Sequence, residues 1–164
     1  MFCLADIYFS SLDRKEVYRL PILPADMPEL TRPAKNEEFE TYADGVINIP
    51  GNVGLATFNI DCWLPEFPGK YKWAKAQINP YLLINLWHGA MLGKKPIRCV
   101  MERGKNRNNI SEEILNWLVT VESMSWNENT LRDVKYKVDF KEYNDYTGLD
   151  SVENQLNQLK GIIA

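Results

Sequence analysis

Asn79 to Val100, NPYLLINLWHGAMLGKKPIRCV, constrains the fold of this chain more than any other stretch. Asn79 can accept from the first free amides of a helix, and Pro80 takes the first helical position, where a missing N–H costs nothing. At the far end Gly93 is placed to adopt the left-handed conformation that closes a helix, and Lys94 and Lys95 suit its negative pole. Pro96 bars continuation, and Ile97-Arg98-Cys99-Val100 reads as a strand, so helix and strand are expected to form one packed unit.

Around this unit the chain reads as strands and turns. Leu4 to Phe9 and Glu16 to Leu23 are apolar-rich runs separated by a polar turn, which predicts a first hairpin. Pro21, Pro24, Pro28 and Pro33 then break any ladder, and Lys35-Asn36-Glu37-Glu38 is polar, so residues 24–42 read as a long surface excursion, either a contact arm or the commoner solvated loop. Gly45 to Ile49 reads as a short strand ended by a Pro50-Gly51 turn, and Val53 to Trp63 as a half-buried strand with Ala56, Phe58, Ile60 and Cys62 on one face. Gly51-Asn52-Val53-Gly54 reads as a turn; without a following Lys-Ser/Thr and a helix start it is no phosphate-binding loop. Arg103 to Asn109 is too polar for anything but an exposed loop. Leu115 to Trp126 follows as a strand with Leu115, Trp117, Val119 and Val121 on one face. After a turn at Asn127-Glu128-Asn129 comes the cleanest alternation in the chain, with Val134, Tyr136, Val138 and Phe140 inward.

The last residues change character. Asp150 with Glu153 makes a capping-box-like start, and Leu149, Val152, Leu156, Leu159 and Ile163 recur at spacings of three and four. That seam is narrower than a core face and too short to stand alone in water, so it must dock, either back on its own domain or on a neighbour, and for the second case these five are the candidate partner-binding residues. The length of 164 residues fits a single core. The expected fold is α+β: a small, mainly antiparallel sheet or partly closed barrel packed on one principal helix, with a short C-terminal helix. Residues 1–147 form the domain and residues 148–164 an amphipathic docking helix.

Motifs that carry chemistry are sparse. His88 is the only histidine, which leaves a single possible centre for a triad or an imidazole-based metal site, and a helix histidine is more often structural. Cys3, Cys62 and Cys99 are widely spaced and lack a C-x-x-C pattern, which argues against a disulfide framework or a zinc site. Glu37, Glu38, Glu40, Asp44, Asp61 and Glu66 supply carboxylates for a glycan hydrolase, but nothing in the sequence sets their separation. Arg98, Arg103, Lys105 and Arg107 gather positive charge near one loop, either a solvated rim or a grip for phosphates or an acidic surface. Trp63, Tyr71, Trp73, Trp87, Trp117 and Trp126 are mostly at inward positions, and Trp73, in a Lys-rich loop, is the candidate for stacking on a sugar or anchoring an interface. A formal charge of -3 disfavours general nucleic-acid binding, and no apolar run reaches membrane-spanning length. The expected protein is therefore a non-enzyme without cofactor or metal, made and kept in the cytoplasm until it is assembled or released.

The order of the pieces is more specific than any one of them. Leu20-Pro21-Ile22-Leu23-Pro24, then Gly45 to Gly51, then Leu55-Ala56-Thr57-Phe58, then Asn79-Pro80-Tyr81 with Trp87, Gly93 to Arg98, and Lys137 to Tyr143 follow one another. Together they resemble the N-terminal domain of the XkdP-like, LysM-type tail and baseplate proteins of contractile-tailed phages and phage-tail-like bacteriocins, over about residues 16–146. The resemblance implies a structural baseplate component lying where tube, central hub and wedges meet, in multiple copies and contacting other tail proteins. The residues after Tyr146 are too few for a LysM module, so the peptidoglycan affinity of such proteins is not expected here. Two alternatives from other classes are a peptidoglycan or glycan-binding module using Trp73, and a cell-wall hydrolase using the loop carboxylates.

Overall fold

The structure, a computed structural model, describes residues 5–105, 108 and 110–144. The first hairpin forms as expected from β1 (Asp6–Ser10) and β2 (Val17–Arg19), paired antiparallel with Phe9 opposite Tyr18. β3 (Glu37–Thr41) and β4 (Gly45–Ile49) form a separate two-stranded ribbon. β5 (Thr57–Leu64), α1 (Pro80–Gly93), β6 (Ile97–Lys105), β7 (Ser111–Glu128) and β8 (Val134–Glu142) follow. The main sheet has six strands in the order β2-β1-β6-β7-β8-β5, and each neighbouring pair runs antiparallel.

The expected α+β class does not hold. The chain is mostly β, with eight strands and one short helix among the described residues, and its sheet curves into a half-barrel. The organiser is β7, 18 residues long, rather than the helix. Its first half pairs with β6 and its second half with β8, and Val119, at the changeover, lies opposite both Ile97 and Glu142. The bulge between Val121 and Ser123, just past the changeover, bends the strand. The same bulge shifts the phase of the strand: Leu115 and Val119 face the core before it, and Met124 packs against the core after it. The strands supply most of the core, and α1 closes its open side with Pro80, Leu83, Ile84, Leu86 and Trp87. The expected C-terminal helix lies outside the described residues.

The helix start is as the sequence dictates, with the Tyr81 amide donating to Asn79 Oδ1 at 3.0 Å. Its end differs. Gly93 is the last helical residue, and Lys94 takes the left-handed conformation at φ 51°. The Lys95 amide then donates to the Ala90 carbonyl at 3.1 Å, which satisfies an otherwise orphaned acceptor. Trp87 is fully buried at the centre of an aromatic cluster, its ring centroid 5.3 Å from Phe9 and 5.1 Å from Tyr136.

Candidate assembly surfaces

Two surfaces stand out, and neither is the region of the lone histidine. The first is the β3–β4 ribbon, which corrects the sequence reading twice. The Pro-rich excursion does not stay a loop but ends in β3, and the segment 51–54 is not a turn but runs antiparallel to residues 33–36. The Lys35 amide donates to the Asn52 carbonyl at 2.9 Å, the Gly51 amide to Asn36 Oδ1 at 3.0 Å, and Ala34 bridges Val53. Only glycine permits this approach: a Cβ on Gly51 would run into the Lys35 carbonyl, and one on Gly54 would lie 2.9 Å from Pro33 Cγ. The root is further tied to the sheet by Arg32, which pairs with Glu142 at 2.9 Å and lies 5.3 Å from the Trp117 ring centroid.

Beyond that root the arm stands in solvent. Register places Phe39 opposite Ile47 and Glu37 opposite Ile49, so Phe39, Ile47 and Ile49 share one face while Glu38, Glu40, Val46 and Asn48 share the other. Phe39 is 50% exposed, Ile47 43% and Ile49 49%. A free two-stranded ribbon is marginal in water, and contiguous exposed apolar surface marks a contact site. Its four carboxylates, Glu37, Glu38, Glu40 and Asp44, make no ion pair among the described residues, and no Lys or Arg lies between Asn36 and Asn52.

The second surface is the loop from Pro65 to Ile78, which joins β5 to α1 and is held by two Lys–Asp clamps. Asp133 is buried and accepts from Lys70 Nζ at 2.8 Å, Tyr71 Oη at 2.9 Å and the Glu66 amide at 3.0 Å. Burial pushes the Asp133 carboxyl up, but the hydrogen bonds from Lys70, Tyr71 and the Glu66 amide outweigh it and hold the group below its ordinary range. The hydrogen bond to Asp133 likewise raises Lys70. At the other clamp Asp6 takes Arg19 bidentately, at 2.9 and 2.8 Å, and Lys75 Nζ at 3.0 Å, while the Lys75 amide donates to the Pro21 carbonyl at 2.8 Å. Between the clamps Tyr71 and Trp73 gather against Trp63 of β5, with ring centroids 5.3, 6.1 and 5.4 Å apart. Trp73 is 64% exposed on this platform and Phe67 50%.

The other described residues singled out from sequence lie on several separate elements. His88 is exposed on α1, its ring 6.0 Å from that of Trp126, which is itself 42% exposed rather than inward. Cys99 is buried, and burial pushes its thiol far above the ordinary value; Cys62 is half-buried, its thiol also raised by burial, and donates to the Ile22 carbonyl at 3.6 Å. Glu66 is engaged with Lys70 and Arg132, Asp61 lies on the outward face of β5, and the remaining carboxylates lie on the arm. Arg98 donates to Asn116 Oδ1 at 2.7 Å and Arg103 pairs with Glu112 at 3.5 Å, so both engage their own chain. Arg107, the Lys105 side chain and the seam of Leu149, Val152, Leu156, Leu159 and Ile163 lie outside the described residues. Among the described residues no group of His, Cys, Asp and Glu is set to hold a metal, and no helix is long and apolar enough to cross a membrane.

No protein-family model matches the chain, and no curated protein matches it. Among solved structures it is similar to the subunit of the SPP1 tail tube, with a TM-score of 0.57 and 15% identity, covering 88% of this chain and 76% of that one. A chain of the anti-feeding prophage baseplate is similar at a TM-score of 0.47 and 8% identity, covering 88% of this chain and 91% of that one. The first likeness shows that the chain has the fold of a phage tail-tube subunit.

Proposed function

We propose that this chain is a structural, non-enzymatic subunit of a contractile phage tail or phage-tail-like bacteriocin. It sits in the baseplate, where it links hub or tube to wedge proteins and is present in many copies. It is made in the host cytoplasm and carried in the finished particle. The observation that carries this reading is the β3–β4 arm, an apolar-faced ribbon with no cover among the described residues, built on a fold shared with a tail-tube subunit. The order of motifs resembling XkdP-like proteins supports the baseplate rather than the tube itself, and the Leu149 to Ile163 seam offers a second strap to a neighbour. The test replaces residues 37–49 by a short Gly-Ser linker in the producing strain. The domain should stay folded by circular dichroism while the protein disappears from purified particles. Normal particles containing the shortened chain would overturn the proposal.

A second reading rests on Trp73, whose exposed ring stands beside Trp63 and Tyr71 as a sugar-stacking surface would. Sedimentation with purified cell walls tests it: retention lost on Trp73→Ala favours a glycan-binding module, and the absence of retention removes that reading.

A further inference from the structure

The arm and the aromatic platform are complementary in charge and in apolar character, and they are different patches of one chain. We propose that the β3–β4 arm of one copy docks on the Trp63–Tyr71–Trp73 platform of the next copy, head to tail. This rests on the assembly reading above and names the contact that would serve it.

The arm brings Phe39, Ile47 and Ile49 on one face with Glu37 beside Ile49, while Glu38 and Glu40 lie on the other face; with Asp44 these are its only charges. The platform brings Trp73, with Phe67 exposed on the same loop, and a depression next to Trp63 lined by Leu23, Pro24, Asp61 and Lys135. Lys135 lies opposite Trp63 in the β5–β8 ladder, and Lys72 is adjacent to Trp73 in the loop. Both lysines are exposed and make no ion pair among the described residues, so each is available to an incoming carboxylate. The loop that carries the aromatics is already ordered by the Asp133 and Asp6 clamps. Docking therefore loses little loop entropy, and Trp and Tyr anchors held this way are the usual hot spots of an interface. Because donor and acceptor surfaces differ, each copy offers one arm and one platform. Such a heterologous contact propagates around a ring or along a helix and leaves no preferred dimer. The contact unites apolar anchoring with opposite charge, so like charge at either side weakens it and exchanged charge restores it.

The experiment uses two full-length variants, one with Glu37→Lys, the carboxylate on the docking face of the arm, the other with Lys72→Glu and Lys135→Glu. All three positions are exposed, and unchanged thermal melts verify that both variants fold. In sedimentation velocity the wild type should form concentration-dependent oligomers, and each variant alone should associate at least tenfold more weakly. An equimolar mixture should recover wild-type assembly, since every arm then meets a platform of opposite charge in an alternating array. The proposal is overturned if the platform variant associates normally, if mixing fails to restore association, or if the wild type stays monomeric at high concentration. It is also overturned if Trp73 is instead occupied by cell-wall glycan. A platform variant that associates normally but an arm variant that does not would sink this contact while leaving the assembly role standing. If both variants associate normally in solution and both are incorporated normally into particles, the assembly role assigned to these surfaces falls with the contact.

Discussion

Replacing Trp87 separates two contributions of the same side chain, its area and its buried N–H. The residue is fully buried among Phe9, Tyr136 and Phe140, and its Nε1 has no hydrogen-bond partner. A buried Trp removes roughly 150–250 Å² from water, which at about 25 cal/mol per Å² is roughly 4–6 kcal/mol. Trp87→Ala should thus cost about 3–5 kcal/mol once partial collapse of the cavity is included. Against a net stability of about 5–15 kcal/mol, that lowers Tm by roughly 6–20 °C. Trp87→Phe keeps most of the area and deletes the unpaired N–H, whose burial costs about 1–3 kcal/mol, so it should fall within about 1 kcal/mol of the wild type. Urea unfolding followed by far-ultraviolet circular dichroism measures both, with the slope against denaturant expected to stay constant. A cost under about 1 kcal/mol for Trp87→Ala would mean that the helix does not close the core. Equal damage from Trp87→Phe and Trp87→Ala would mean that the indole N–H has a partner that stabilises it.

Asp133→Asn keeps the shape of the first clamp and removes the charge facing Lys70, and Tm at neutral pH should drop by about 3–6 °C. Since the folded-state pKa of Asp133 lies below its ordinary 3.8, the carboxylate stabilises the fold above that value and ceases to do so as pH falls through the lower one; the melting temperatures of variant and wild type should therefore converge in acid, and a constant offset down to the acid limit would count against the clamp. Gly51→Ala forces the arm's root away from the Lys35 carbonyl, so limited proteolysis should cut within residues 33–54 at least several times faster while the sheet core stays protected, and an unchanged digestion pattern would refute the close approach. Deleting residues 149–164 should leave the domain folded and abolish incorporation into particles; normal particles from the deletion strain would remove the seam of Leu149, Val152, Leu156, Leu159 and Ile163 as a docking element.

Much of the fold is written in local pattern. Asn79 and Pro80 start the helix because their chemistry fits the first turn in any context. Val134, Tyr136, Val138 and Phe140 are all buried, as their alternation requires of a strand with one face on a core. The first hairpin and the strand at Gly45–Ile49 are legible for similar reasons. Less was legible of the candidate surfaces. Sequence placed a contact arm in the Pro-rich stretch and singled out Trp73 in its loop, but it gave no sign that Glu37–Thr41 would pair as β3. That segment faces no core, so alternation toward a core could not reveal it, and its order comes from cross-strand pairing and from two glycines pressed against residues 33–36.

The decisive features are those that depend on residues far apart along the chain. The length and bend of β7 were hidden because its polar ends, Ser111 to Glu113 and Ser123 to Glu128, are stabilised by partner strands rather than by burial, and the bulge after Val121 reverses the inward phase that periodicity extends. Lys70 and Asp133, separated by 63 residues, meet only after the sheet has closed, and their clamp is what turns a Lys-rich loop into an aromatic platform. Sequence by itself determined the helix and most of the core-facing residues, because each is set by neighbours within a few residues. Tertiary structure alone decided that a bent strand rather than the helix organises the domain, and which surfaces are left to be covered, because curvature and exposure follow from the whole sheet.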